Sequence, residues 1–168
     1  PEYLSVGRKV AFLMRKSSDF ALEWKVRQMD LEEARREEES AKAIEAAIRK
    51  SLKKPTGELT KADLEQFTFL NLIDNQLTDV KGLEKLTRLT ELALHENQLT
   101  DVKGLEKLTQ LTSLSLVNNQ LTEVPKGLEK LTQLTSLSLD NNQLTDVKGL
   151  EKLTQLRSLS LRNNPDLT

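Results

Sequence analysis

His95 is the only histidine of the chain, and Glu91, Glu96 and, by the chain's periodicity, Asp74 are expected close to it. A histidine among carboxylates can act as a general base or as a metal ligand. Zinc-type sites draw on two or more His or Cys donors, and this chain has no second histidine and no cysteine. No serine–histidine–aspartate order suited to nucleophilic catalysis is apparent. The expectation is therefore an exposed, non-catalytic histidine, with no catalytic residue, no metal site and no cofactor. The lack of cysteine also excludes disulfides and thiol catalysis while leaving the compartment open.

The residues that position His95 repeat. The chain divides into units 67–88, 89–110, 111–133, 134–155 and a partial unit 156–168, with periods of 22, 22, 23 and 22 residues. The shared pattern is L-T-x-L-x-L-x-x-N-Q-L-T-D-V-K-G-L-E-K-L-T-x, and a period of this length marks a stacked-coil architecture. Leu92 and Leu94 stand two apart and so point to one face of a short strand, as do Leu70/Leu72, Leu114/Leu116, Leu137/Leu139 and Leu159/Leu161. Asn75, Asn97, Asn119, Asn142 and Asn164 follow the strands, where a buried amide can bond to backbone groups of neighbouring coils and form a ladder. Leu99, Val102, Leu105, Leu108 and their equivalents fill the interior from the outer arc. One coil cannot bury these alone, whereas a stack makes one continuous core. The extra residue of the third unit, within Glu123-Val124-Pro125-Lys126-Gly127, is expected to bulge from the outer arc and leave the sheet undisturbed.

Between the inward leucines lie three outward columns. They read Phe69/Glu91/Ser113/Ser136/Ser158, Asn71/Ala93/Ser115/Ser138/Ser160 and Ile73/His95/Val117/Asp140/Arg162. The units differ most here, while the outer arc is nearly copied. Small residues floor the face and a mixed stripe crosses it, which suits an extended peptide or a helix. Phe69, Ile73, Glu91, His95, Val117, Asp140 and Arg162 are the candidate partner-binding residues. Five strands at about 4.8 Å span only roughly 20 Å, so the sheet face is smaller than the ~800 Å² a standard interface takes from each partner.

Residues 67–168 resemble a bacterial leucine-rich-repeat protein with the 22-residue unit of the internalin type. Residues 43–55 and 57–64, reading AIEAAIRKSLKKP and GELTKADL, resemble the helical cap before the first repeat of such proteins. The resemblance implies an α/β fold, a right-handed solenoid with a parallel concave sheet, protein-partner binding without general catalytic activity, and an extracytoplasmic or cell-surface setting. Residues 1–40 match nothing in the family. The chain stops mid-repeat, with Asn164-Pro165 in place of Asn-Gln, so Leu159 and Leu161 are expected near an open edge.

The organisation is thus a charged helical leader over 1–40, a helical cap over 41–66 and the repeats over 67–168. Ser17-Ser18-Asp19 is a helix start before Phe20, and no Gly or Pro follows until Pro55, which allows a helix of up to about 35 residues, whole or in two pieces. Phe20, Trp24 and Leu31 are the residues expected to dock this leader or make it self-associate. Glu37-Glu38-Glu39 followed by Ile44-x-x-Ala47-Ile48-x-x-Ser51 resembles a ubiquitin-interacting helix, but Ser40 to Ala43 intervene and the same apolar face is needed to cover the first repeat. Residues 4–14 are ambiguous between strand and helix. The apolar patch over 12–24, with Arg8, Lys9, Arg15 and Lys16 around it, can meet a membrane or pack on protein; packing is preferred because acids follow closely.

Net charge is −1, which gives no general reason for a nucleic-acid partner. Residues 1–55 carry 13 basic against 10 acidic side chains, and the rest 12 against 16. No stretch approaches the roughly 20 apolar residues of a membrane helix. The function expected is non-enzymatic: a protein–protein interaction module whose concave face binds a protein partner, with homo-oligomers through residues 1–40 or the C-terminal edge as a further possibility. The alternative is an engineered or fragment scaffold carrying an N-terminal helical segment, since near-identical arcs suit consensus design as well as recent duplication.

Overall fold

A computed structural model describes residues 18–167, with side chains from residue 23 onward. The readings made for residues 4–14, and most of the patch over 12–24, lie outside the described residues. The chain falls into two units that divide at Arg35/Arg36.

Helix α1 spans Ser18–Leu52 over 35 residues, as the absence of Gly and Pro allows. Up to Arg35 its described apolar side chains are exposed, among them Trp24, Val26, Met29 and Leu31. In the second unit its character changes. Ile44 and Ile48, one turn apart, are buried and belong to the same core as the repeats, with Ala43, Ala47 and Leu52 packed against it. The face that resembled a ubiquitin-interacting helix is therefore occupied as a cap. Ser40 is buried on the first coil, where its Oγ accepts from the Thr78 N–H at 3.0 Å. Lys53 ends the helix at φ 53°, with Lys54 N–H donating to the Arg49 carbonyl at 3.0 Å. This left-handed closure usually falls to glycine.

Helix α2, Lys61–Leu64, is a single turn held by a reciprocal cap between Thr60 and Asp63. Asp63 also receives Lys54 Nζ at 2.7 Å and the Thr60 N–H at 2.8 Å. The Lys54 bond, followed by those from Thr60, lowers its carboxyl to about 2. The stability this contributes is present above the ordinary value near 3.8 and is lost as pH falls toward 2.

The strands β1 (Phe69–Asn71), β2 (Glu91–Ala93), β3 (Ser113–Ser115), β4 (Ser136–Ser138) and β5 (Ser158–Ser160) form one parallel sheet in that order. Register is kept across the extra residue of the third unit, Ser113 pairing with Ser136. The insertion does not bulge into solvent as expected. Pro125 and Val124 are both buried, and the Pro125 carbonyl accepts the Leu128 N–H at 3.2 Å as the Val102 carbonyl accepts the Leu105 N–H at 3.1 Å one coil earlier. The insertion is thus absorbed inside the turn.

Each outer arc carries one short 3-10 turn, at Leu83–Lys85, Leu105–Lys107, Leu128–Lys130 and Leu150–Lys152. A glycine at φ near +100° precedes each turn. At Gly127 a Cβ would also come within 2.9 Å of Glu106 Cβ, so both backbone and space require glycine there. The Glu two residues on accepts the glycine N–H, as Glu106 does from Gly104 at 2.6 Å.

Inner leucines such as Leu94, Leu116 and Leu139 are fully buried, whereas Leu159 is 43% exposed and Leu161 half-buried. This matches the edge expected there, since no coil among the described residues covers the far side of β5.

Candidate interaction surface

The strands hold their side chains alternately. Leu70, Leu92, Leu114 and Leu137 point into the core, and their neighbours on either side line the concave face. Two ladders make this face rigid. Asn97 Oδ1 accepts from the Asn75 and Leu77 N–H groups at 3.1 and 2.9 Å, while its Nδ2 donates to the Leu72 and Leu94 carbonyls, both at 2.9 Å. Asn119, Asn142 and Asn164 repeat the two carbonyl bonds, their Oδ1 atoms each accepting one N–H, from Leu99, Leu121 and Leu144. Asn75 does not join this ladder in the same way. Among the described residues its Nδ2 bonds only the Ile73 carbonyl two residues back, at 2.7 Å, and no strand precedes β1 for it to bridge.

A second ladder was not foreseen. Thr90, Thr112 and Thr135 each donate their hydroxyl to the carbonyl of the threonine one coil earlier, at 2.9 to 3.0 Å. The recurring Leu-Thr before each strand is its signal in the sequence. Arg157 interrupts it in the last unit.

The structure brings the candidate residues onto one sheet face. Phe69 pairs in register with Glu91 and is 53% exposed. Ile73, His95, Val117 and Asp140 are half-buried in adjacent coils, and Arg162 is exposed. Asp140 Oδ1 accepts the Arg162 backbone N–H at 2.7 Å, which fixes that carboxylate at the C-terminal end of the stripe. His95 Nδ1 stands 3.5 Å from Ser115 Oγ, at the outer limit of a hydrogen bond. Among the described residues no group of three or more His, Asp and Glu could hold a metal ion.

Directly after this stripe the chain leaves the sheet through Asp74, Glu96, Asn118, Asn141 and Asn163, each at φ between 52° and 59°. Asparagine and aspartate tolerate this left-handed conformation; Glu96 adopts it with a side chain less suited to it. All five are exposed, forming a lip along the face.

A sequence profile described as leucine-rich repeats (2 copies) matches residues 68–107, 109–152 and 132–168. The chain belongs to the leucine-rich-repeat family. Its repeats are similar to those of solved bacterial structures. An internalin from Listeria monocytogenes, InlF, superposes with TM-score 0.69 and 33% identity over 73% of this chain and 36% of its own. Internalin C2 from the same organism gives TM-score 0.66 and 32% identity over 70% and 52%. A leucine-rich-repeat protein of Leptospira interrogans gives 0.58 and 38% over 64% and 29%. The chain therefore spans about a third to a half of the length of these proteins. A comparison with curated protein sequences gives no match. Its coils are leucine-rich repeats of the kind these internalins carry. No helix among the described residues is long and apolar enough to cross a membrane.

Proposed function

We propose that this leucine-rich-repeat chain is a non-enzymatic recognition scaffold. Its protein partner lies on the concave face and meets Phe69, Ile73, Glu91, His95, Val117, Asp140 and Arg162. One contrast carries the reading. The frame residues recur almost unchanged and are consumed by core packing and ladder bonds, whereas the outward positions of the first two coils and the stripe from Ile73 to Arg162 vary, and all of them stay exposed or half-buried. A surface that varies on a fixed frame is where recognition usually sits.

The first half of α1 has a separate role in this proposal. Trp24 and Leu31 lie two turns apart on one helix face and are 46% and 58% exposed. They form a docking or self-association stripe, to which Phe20 adds by position, its side chain lying outside the described residues. Affinity capture tests the main reading. A protein retained by the parent is expected to be lost with Glu91→Arg and His95→Ala together, and kept when Lys103 and Lys126 of the outer arc become alanine. Retention that instead follows the arc lysines contradicts it.

A further inference from the structure

The charges of the repeats are unevenly placed. The outer arcs of the second, third and fourth units each carry two acidic and two basic residues, as in Asp101, Lys103, Glu106 and Lys107, and so cancel within themselves, while the first adds Arg88 to the same set. The concave columns and their lip do not cancel. They hold Asp74, Glu91, Glu96 and Asp140 against Arg162 alone. Asp140 and Arg162 sit on the last two coils, where the Asp140 carboxylate already holds the Arg162 N–H. Asp74, Glu91 and Glu96 sit on the first two coils. None of these three makes an ion pair among the described residues.

The same two coils carry the apolar part of the face. Phe69 is exposed beside Glu91 in register, so the two side chains stand about 5 Å apart at their roots. A cationic side chain placed between them can pair with the carboxylate and lie over the ring at once. Four residues on, just past the end of β1, Ile73 offers a half-buried aliphatic surface bordered by Asp74 and Glu96. Between the two ends lies Ala93, small enough to let a backbone approach.

We propose that the N-terminal half of the concave face takes an extended peptide segment bearing a Lys or Arg for Phe69 and Glu91, and an apolar residue about four positions away, flanked by a second cation, for Ile73 and Glu96. The inference rests on the concave face being the recognition surface and adds the chemistry of the partner. Charge complementarity selects the cation, and the exposed Phe69 and Ile73 select the apolar residue. The serine-floored coils that follow offer neither.

Selection from a library of random displayed peptides against the full chain tests this. Enrichment of a Lys/Arg-plus-apolar consensus is expected, with affinity falling about tenfold on the Glu91→Gln, Glu96→Gln double variant and on Phe69→Ser. The double variant changes exposed side chains only, so folding is preserved; Lys103→Gln with Lys126→Gln should leave affinity unchanged. An acidic or uncharged consensus whose binding is lost on Ser138→Lys would overturn the cationic partner while the concave reading stands. Peptides indifferent to every concave substitution, or no enrichment over a blank surface, would overturn both.

Discussion

Asp79 and Asp146 occupy the same position in their repeats, yet their carboxyls move in opposite directions from the ordinary value. Asp146 is lowered by the backbone N–H and side chain of Lys148. Asp79 accepts the equivalent bond from Lys81, but it is raised, chiefly by burial, with Glu37 of α1 adding repulsion. Its Oδ2 is buried without a partner. The covering helix is the cause, and its contact is not legible from the repeat: Ser40 and Glu37 lie 38 and 44 residues from the Thr78 and Lys81 they meet. Because the folded value is raised, the folded state holds a proton that the unfolded chain releases near 3.8, so stability falls as pH rises through the window above it. Asp79→Asn removes that fall. Denaturant titrations of parent and variant should show an advantage for Asp79→Asn that grows from pH 3.5 to 7; an equal gap at both would refute burial as the cause. The asparagines, by contrast, were readable from position alone, since a buried amide following a strand has backbone partners on both sides. Only Asn75 departed, for want of a coil before it.

At the scale of elements, the uninterrupted run of α1 to Leu52 was allowed by the absence of Gly and Pro before Pro55, which left one helix or two open. The β-strands followed from leucine spacing, and their parallel register from the period. The 3-10 turns and the buried Pro125 did not, because they depend on backbone bonds that a proline can accept as well as a valine. Along α1, Ile44 and Ile48 are buried whereas Trp24 and Leu31 are exposed. A helix face with exposed Trp24 and Leu31 gains from a second copy. Light scattering of the full chain should give the mass of two copies, falling to one with Trp24→Ser and Leu31→Ser together. A single-copy mass for the parent at tens of micromolar would remove self-association and leave docking.

For the whole molecule, a stack of coils separates stability from recognition. Stability comes from leucines and asparagines that each coil shares with its neighbours, approximately as a sum of coil and interface terms. Recognition is left to side chains with little structural duty. Much of the frame could therefore be read from the sequence, because repetition makes its pattern redundant. The binding face was legible only as a set of positions: what Glu91 or Ile73 touches depends on a partner that the sequence does not contain. The most direct test of this separation is the unfolding free energy of a variant in which Glu91, His95, Asp140 and Arg162 all become serine, set beside Asn119→Ala. Losing Asn119 strands the Leu99 N–H in the core and takes one of the two amide donors from each of the Leu94 and Leu116 carbonyls, at a cost of about 2–4 kcal/mol. The fourfold variant should lie within about 1–2 kcal/mol of the parent while losing peptide or partner binding. A fourfold variant that unfolds as readily as Asn119→Ala would show that the face is part of the frame, and would contradict the account.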